Sequence, residues 1–266
     1  MNVSVSTFLR GLQFWGLQPR STVSAITGLP RIRRDRKDYE KQRTASKVPE
    51  EFPIRGKMPI VGDWKMEAGE ASGHYFHQDL LVAREIHRRS PDRHIDVGSS
   101  IYGFVSHVAS FRKIDVIDVR PVLHSVEGIR FIQADITSLP SDFDEAADSV
   151  SCLHALEHMG LGRYGDPVDY EGWRMGLQNL ARMVRSSGVL YLAVPIGITQ
   201  RVEFNAHRVF SVPFMSQELD QLFDIEDFSY VDDFGVLHEH VDLSTEAADN
   251  SFGLDYGCGI WTVLRP

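Results

Sequence analysis

Five short runs, "HIDVG", "KIDVIDV", "IRFIQAD", "SVSCLHA" and "GVLYLAVP", follow one another between residues 94 and 195, each rich in β-branched or apolar side chains. None alternates cleanly between apolar and polar, as a strand with one wet face would; a strand covered on both faces reads as a nearly continuous apolar run. Short buried strands separated by longer segments imply crossover connections and a parallel sheet. This feature constrains the fold more than any other, because few architectures cover both faces of a sheet.

The intervening segments read as the cover. "HYFHQDLLVAREIHRR" is expected to form a helix with Phe76, Leu80, Ala83 and His87 near one face and Pro91 beyond its end. "YEGWRMGLQNLARMVRSSG" places Trp173, Leu177, Leu180 and Met183 along one stripe, with Gly188 near its end. After the fifth run, "SVPFMSQELDQLFD" reads as a further helix, and "DFSYVDD" and "GCGIWTVLRP" as two last strands. The expected fold is α/β: a doubly wound, Rossmann-like sheet of about seven strands over residues 71–266.

Residues 1–70 differ in character and are expected to form a helical extension and a connector. "RIRRDRKDYEKQR" is a charge run of helix formers, and "VPEEFPIRGKMPIVGDW" breaks regular structure with three prolines and two glycines. Within residues 7–17, Phe8, Leu9, Leu12, Phe14, Trp15 and Leu17 can line one helical face, to dock peripherally on a membrane or to fold back on the chain's own domain. No run approaches the roughly 20 apolar residues that cross a bilayer. Lacking a continuous apolar leader, and with only Cys152 and Cys258, both in apolar runs and without CxxC spacing, the chain is expected to be cytoplasmic with reduced, buried thiols. A hydrophobic content of 42% in 266 residues supports a real core, and a net charge of −9 disfavours tracking along nucleic acid. Small-molecule chemistry is the expectation, with the oligomeric state open.

In a doubly wound sheet, ligands bind outside the carboxyl ends of the strands. The loop after the first strand is "DVGSSIYG": Gly98 permits a sharp turn, Gly103 close packing of the next helix, and Asp96 can order the loop. Against the dinucleotide pattern GxGxxG, Ser100 stands where a pyrophosphate would approach backbone, so a ligand without pyrophosphate fits better. Asp118 ends the second run, placed to accept hydrogen bonds from ribose hydroxyls, and Asp135 ends the third, placed to meet an adenine amine. Both are also ordinary residues for caps and turns.

"HIDVGSSIYG", "VIDVRP", "QADITSLP", "SVSCLHALEHM" and "VRSSGVLYLAVP" together resemble, in order and spacing, the motifs of class I S-adenosylmethionine-dependent methyltransferases over residues 74–266. The resemblance implies S-adenosylmethionine as cofactor. Asp96 and Gly98 would lie beside its methionine part, Asp118 at the ribose, and Asp135 with Ile136 at the adenine; Ser99, Gly103 and His154 complete the expected contacts. "GSS" departs from the glycine pattern usual in that family. With "GHYFHQDL", "GLGRYGDP" and "RVEFNAHRVF", the chain is also similar to an uncharacterised methyltransferase-like family associated in bacteria with cell-surface polysaccharide genes, which implies a saccharide acceptor.

"SCLHALEHM" follows the fourth strand. If it turns helical there, His154, Glu157 and His158 share a face, and His207 after the fifth strand can reach the same space. This pattern is similar to the ExxEH-plus-His metal sites of small-RNA 2′-O-methyltransferases, and three imidazoles with a carboxylate suit zinc, iron or manganese. Without metal, His158 or His207 would bind the acceptor or take its proton; a purely structural role is the third reading. Arg163, Tyr164 and Asp166 form either a lid over an anionic acceptor or a tight connection ending at Pro167, and Asp166 joins His158 and His207 as a catalytic candidate. His74 and His77 either face the cofactor's methionine end or only pack. The leading expectation is O-methylation of a sugar or glycoconjugate hydroxyl, possible metal assistance included. The alternatives are a nicotinamide-dependent sugar oxidoreductase, which Ser100 and the lack of a clear YxxxK pair disfavour, and a non-catalytic methyltransferase-like module.

Overall fold

The computed structural model describes residues 19–55, 60, 69 and 71–266. The chain parts into two compact units, Met1–Glu70 and Ala71–Pro266. In the first, the charge run lies within helix α1 (Pro19–Ala45), whose Arg31–Asp35 and Arg43–Glu40 pairs sit one turn apart on a largely solvated helix. The apolar face expected within residues 7–17 falls outside the described residues. No helix among the described residues is long and apolar enough to cross a membrane.

The second unit is the doubly wound α/β domain. Its strands are β1 (His94–Val97), β2 (Ile114–Asp118), β3 (Ile129–Gln133), β4 (Ala147–Leu153), β5 (Val184–Ile196), β8 (Asp224–Val231), β9 (Leu237–His238) and β10 (Gly257–Leu264), with a hairpin of β6 (Arg201–Glu203) and β7 (His207–Val209) apart from the main sheet. Among the described residues the main sheet has eight strands in the order β3-β2-β1-β4-β5-β10-β8-β9. The first five run parallel, and β10 lies antiparallel between β5 and β8.

Side-chain alternation sends each strand's residues into two cores. Along β5, Leu190, Leu192 and Val194 join Trp173, Leu177 and Leu180 of helix α4 (Gly172–Met183), together with Met215 and Leu219 of α5 (Val212–Asp220). Val189, Tyr191 and Ala193 face the other way, toward Leu81, Val82 and Ile86 of α2 (His74–Arg89) and Val108 of the short α3 (Ser106–Ala109). Each leucine, isoleucine, valine or methionine among these, fully buried, contributes about 1.5 to 3 kcal/mol. The stripe expected on α4 is the buried one, although the helix passes directly into β5 at Val184 instead of running toward Gly188.

Helix α2 has the expected bounds but another buried face. Phe76, Leu80 and His87 are exposed, whereas Gln78, Asp79, Val82 and Ile86 turn inward with Ala83. The reason is a specific contact: Asp79 accepts from the Phe104 backbone N–H, and its Oδ2 sits where a β-carbon on Gly103 would stand, 2.4 Å away. Gly103 is therefore needed for the approach of a carboxylate from α2.

Candidate functional site

Four parallel strands end at a cavity of about 200 Å³ whose wall includes Gly98, Asp118, Asp135, Ile136, His154 and His158. A second cavity of about 370 Å³ shares Gly98, Asp118, Arg120, His154, His158 and Tyr164 and extends along Ser99–Tyr102 to Tyr75. Arg120 and Tyr164 stand in the shared wall, the guanidinium carbon 4.5 Å from the ring centroid. Their contact divides one cleft into two chambers.

Gly98 shows why the first loop needs a glycine. Its φ is +77°, and a β-carbon there would lie 2.7 Å from that of Ala155, in the loop after β4. Below it, Asp96 is wholly buried and accepts from Ser99 N–H (3.1 Å), Ser99 Oγ (2.7 Å) and Ser151 Oγ (2.6 Å). Burial pushes its carboxyl up to about 7 against the pull of those bonds. Ser151 Oγ also lies 3.1 Å from His94 Nε2, and Ser149 Oγ 2.8 Å from Nδ1. A polar chain thus runs under the loop and braces it; Asp96 and Ser99 hold each other.

Asp118 reaches the cleft as expected, but Arg120 grips it through Nε at 3.0 Å and Nη2 at 2.6 Å. Asp135 serves as a cap, its Oδ1 accepting from Thr137 N–H and Oγ1, both at 2.8 Å, while the residue also lines the cavity beside Ile136. The cap and ligand readings of Asp135 are compatible, since both bonds end on one oxygen. Gly103 does not line either chamber, which corrects its expected place beside a ligand; it serves Asp79 instead.

The stretch after β4 is not the expected helix. His154 sits at φ +52°, and only Leu156–His158 close a single 3₁₀ turn, so His154 is not stacked above His158. The expected metal set of His154, Glu157, His158 and His207 is accordingly not assembled. Among the described residues, one group of three has its ligand atoms mutually within 4.8 Å, and it is His74, His154 and Cys258. Glu157 is buried, with Oε1 3.7 Å from His158 Nε2 and Oε2 without a hydrogen-bond partner. Burial pushes its carboxyl up to about 8.

His158 and His207 do meet, with ring centroids 6.5 Å apart. His158 Nδ1 lies 2.7 Å from the Ala206 carbonyl oxygen, which makes Nδ1–H the donor and Nε2 the acceptor nitrogen, with Arg163 Nη1 3.5 Å from it. Burial first, and the Arg163 guanidinium second, hold its pKa down to about 4, so the ring is neutral at ordinary pH. Arg163 donates to the same carbonyl at 2.7 Å. His207 is half-buried against Tyr256, the centroids 5.2 Å apart.

Asp166, expected as a catalytic candidate, lines the first cavity and is held there by its own loop. Its Oδ2 accepts from the N–H groups of Gly160 (3.1 Å) and Gly162 (3.2 Å), and Oδ1 from that of Tyr164 (3.1 Å). With both oxygens so engaged, it shapes the tight connection, and Tyr164 and Arg163 are what that connection delivers to the cleft. Arg208 was not anticipated: buried, it donates to the carbonyls of Met159 (2.6 Å), Glu157 and Tyr170 (both 3.3 Å), clamping both ends of the same loop. No pattern in "NAHRVF" marks that arginine as buried, so the sequence carried no signal for it. Of the early pair, His74 lies behind the cleft wall with Nδ1 3.2 Å from His154 Nε2 and lines neither chamber; no role at the site falls to His77.

The sheet order and the cavity at the strand ends define a Rossmann-like fold of the kind expected from the motif order. Residues 109–249 match the model of the family described as Caenorhabditis protein of unknown function, DUF268, and the chain belongs to that family. Among solved structures, the [4+2]-cyclase SpnF superposes with a TM-score of 0.51 at 17% identity, covering 71% of this chain and 81% of that one. The N-methyltransferase NodS from Bradyrhizobium japonicum, in complex with S-adenosyl-L-homocysteine, gives 0.49 at 12% identity over 86% and 97%. The 1,6-didemethyltoxoflavin-N1-methyltransferase of Burkholderia thailandensis gives 0.48 at 13% over 71% and 78%. No curated protein matches the sequence. At these identities the likeness concerns the fold, and a fold hosts many reactions.

Proposed function

We propose that the protein is an S-adenosylmethionine-dependent methyltransferase acting on a hydroxyl of a sugar or glycoconjugate precursor. The observation that carries the cofactor part is the convergence of Gly98, Asp118, Asp135 and Ile136 on one cleft, with no side chain on Gly98 to obstruct the loop. The donor set fits the group: a carboxylate at the end of β2 for vicinal hydroxyls, an acidic residue with one uncapped oxygen at the end of β3, and an apolar residue beside it. The 200 Å³ chamber is small for a whole nucleoside with its amino-acid tail. The fit therefore requires Arg120 to release Asp118 and join the two chambers.

When bound, S-adenosylmethionine supplies an electrophilic methyl group. Asp118 accepts hydrogen bonds once Arg120 has turned away. His158, fixed through Nδ1 by Ala206, presents Nε2 to an acceptor hydroxyl and takes its proton as the oxygen loses it. Because burial disfavours the charged ring, that transfer runs late, in step with bond formation at the oxygen. Arg163 and Tyr164 position the acceptor, and the surrounding rings of Tyr75, His207 and Tyr256 offer flat faces against which a sugar ring can lie. The motif likeness to a family linked to polysaccharide genes favours the saccharide; the acidic chain disfavours a nucleic-acid acceptor. The reading places the reaction in the cytoplasm.

Calorimetric titration with S-adenosylhomocysteine tests the proposal. The expected result is binding that Asp118→Ala weakens by about tenfold or more, about 1.4 kcal/mol, and that His158→Gln leaves intact while methyl transfer falls by about 10² or more. Absence of binding in the wild-type protein would overturn the assignment in favour of a non-catalytic module, and binding of a nicotinamide cofactor in its place would favour the oxidoreductase.

A further inference from the structure

We propose that His74, His154 and Cys258 bind one divalent transition-metal ion of zinc's type. The site uses different residues from the set expected in the sequence and does not depend on the methyl-transfer reading.

The three side chains come from three elements: the first residue of α2, the residue that leaves β4, and the second residue of β10. His74 Nδ1 and His154 Nε2 are 3.2 Å apart, and Cys258 Sγ is 3.9 Å from His154 Nδ1. A tetrahedral zinc ion with its usual bond lengths, about 2.0 to 2.1 Å to nitrogen and about 2.3 Å to sulfur, sets its ligand atoms roughly 3.3 to 3.6 Å apart. The nitrogen pair already has that spacing; the sulfur's 3.9 Å contact is to the other nitrogen of His154, and with one ligand atom taken from each residue all three lie within 4.8 Å, so the sulfur closes on the ion by a shift of about an ångström. Two imidazoles and a thiolate select zinc and its neighbours over magnesium or calcium, which take oxygen ligands.

Two observations go beyond proximity. His154 holds a left-handed backbone that only a few per cent of non-glycine residues adopt, and this conformation turns its ring toward α2 and β10. Beside the cluster, Glu157 keeps Oε2 buried without a hydrogen-bond partner. An orphaned carboxyl oxygen among neutral imidazoles and a thiol is a costly arrangement by itself, and a bound cation removes the cost. Tyr256 stacks on His74 and Tyr75 packs against His154, fixing both rings.

Three protein ligands leave a fourth position, as in catalytic zinc sites. His154 also lines both chambers, so the site adjoins the cleft through that one ligand.

The test uses the full-length protein, stripped by a chelator and titrated with Co²⁺ alone. The expected result is uptake of one equivalent with a thiolate-to-cobalt charge-transfer band in the near ultraviolet, displaced by Zn²⁺. Cys152→Ser retains the band, Cys258→Ser abolishes it, and His74→Ala weakens affinity by about tenfold or more. No band in the wild-type protein, or a band that survives Cys258→Ser, overturns the proposal. Should Cys258→Ser fail to fold, as judged by circular dichroism, Cys152→Ser decides alone, because the chain has two cysteines and a band there must come from Cys258. S-adenosylhomocysteine binding measured on the same samples keeps failure of the methyltransferase reading separate from failure of the metal site.

Discussion

Asp96 and His94 are two buried titratable groups joined through one hydroxyl, Ser151 Oγ, and burial moves them in opposite directions. His94 is held down to about 3 by burial first and the Arg112 charge second, so its contribution to stability is present above its ordinary 6.5 and is lost as pH falls toward 3. Asp96 is pushed up to about 7, so its contribution is present below its ordinary 3.8 and is lost as pH rises through 7. Across the interval between those values the two slopes oppose each other. Replacing Asp96 by Asn removes one of them: the unfolding free energy of Asp96→Asn relative to wild type is expected to rise steadily from about pH 4 to about pH 7. Urea unfolding at several pH values measures it, and a difference that stays constant across the range would contradict the assignment. At this scale the sequence was informative about position more than about task. It placed Asp96, Asp118 and Asp135 at strand ends, yet the partners that define their work, Ser151, Arg120 and Thr137, are set by register and loop geometry.

The segment between β4 and α4 shows how an element can be misread from residue spacing. His154, Glu157 and His158 have helical spacing, but the chain leaves β4 through a left-handed His154, where Ala155 comes up against Gly98, before one 3₁₀ turn closes. The loop that follows is held by Asp166 inside and Arg208 outside. Asp166→Ala is expected to cost about 1 to 3 kcal/mol. It should also speed hydrogen exchange at Gly160, Gly162 and Tyr164, with α4 and β5 unaffected. Retained protection at those amides together with lost activity would return the carboxylate to the list of chemical participants. Helix α2 carries the same lesson, for its bounds followed from composition and its inward face from Asp79.

For the molecule as a whole, β10 is the strand on which most depends. It lies antiparallel between β5 and β8, its Trp261 is fully buried against Phe228 at 4.8 Å, and its Cys258 reaches the opposite face. Trp261→Ala is expected to destabilise the domain by about 3 to 5 kcal/mol, read from urea unfolding; a loss under about 1 kcal/mol would mean that the core closes over the gap. The same strand shows where sequence reading stops. His154 is 80 residues from His74 and 104 from Cys258, and although both histidines stood out in their own segments, nothing local joined them to each other or to Cys258. The short β6, β7 and β9 also went unread, because two or three residues carry too little periodicity to register. By itself the sequence determined the parallel α/β class, the helices that cover the sheet and the strand ends at which a ligand site opens, because burial on two faces imposes a composition on every strand and helix locally. Only the tertiary structure decided which side chains meet there. Left-handed turns, the approach of Asp79 to Gly103 and the passage of β10 beside β5 are long-range consequences of packing, and no single segment contains the distance between two others.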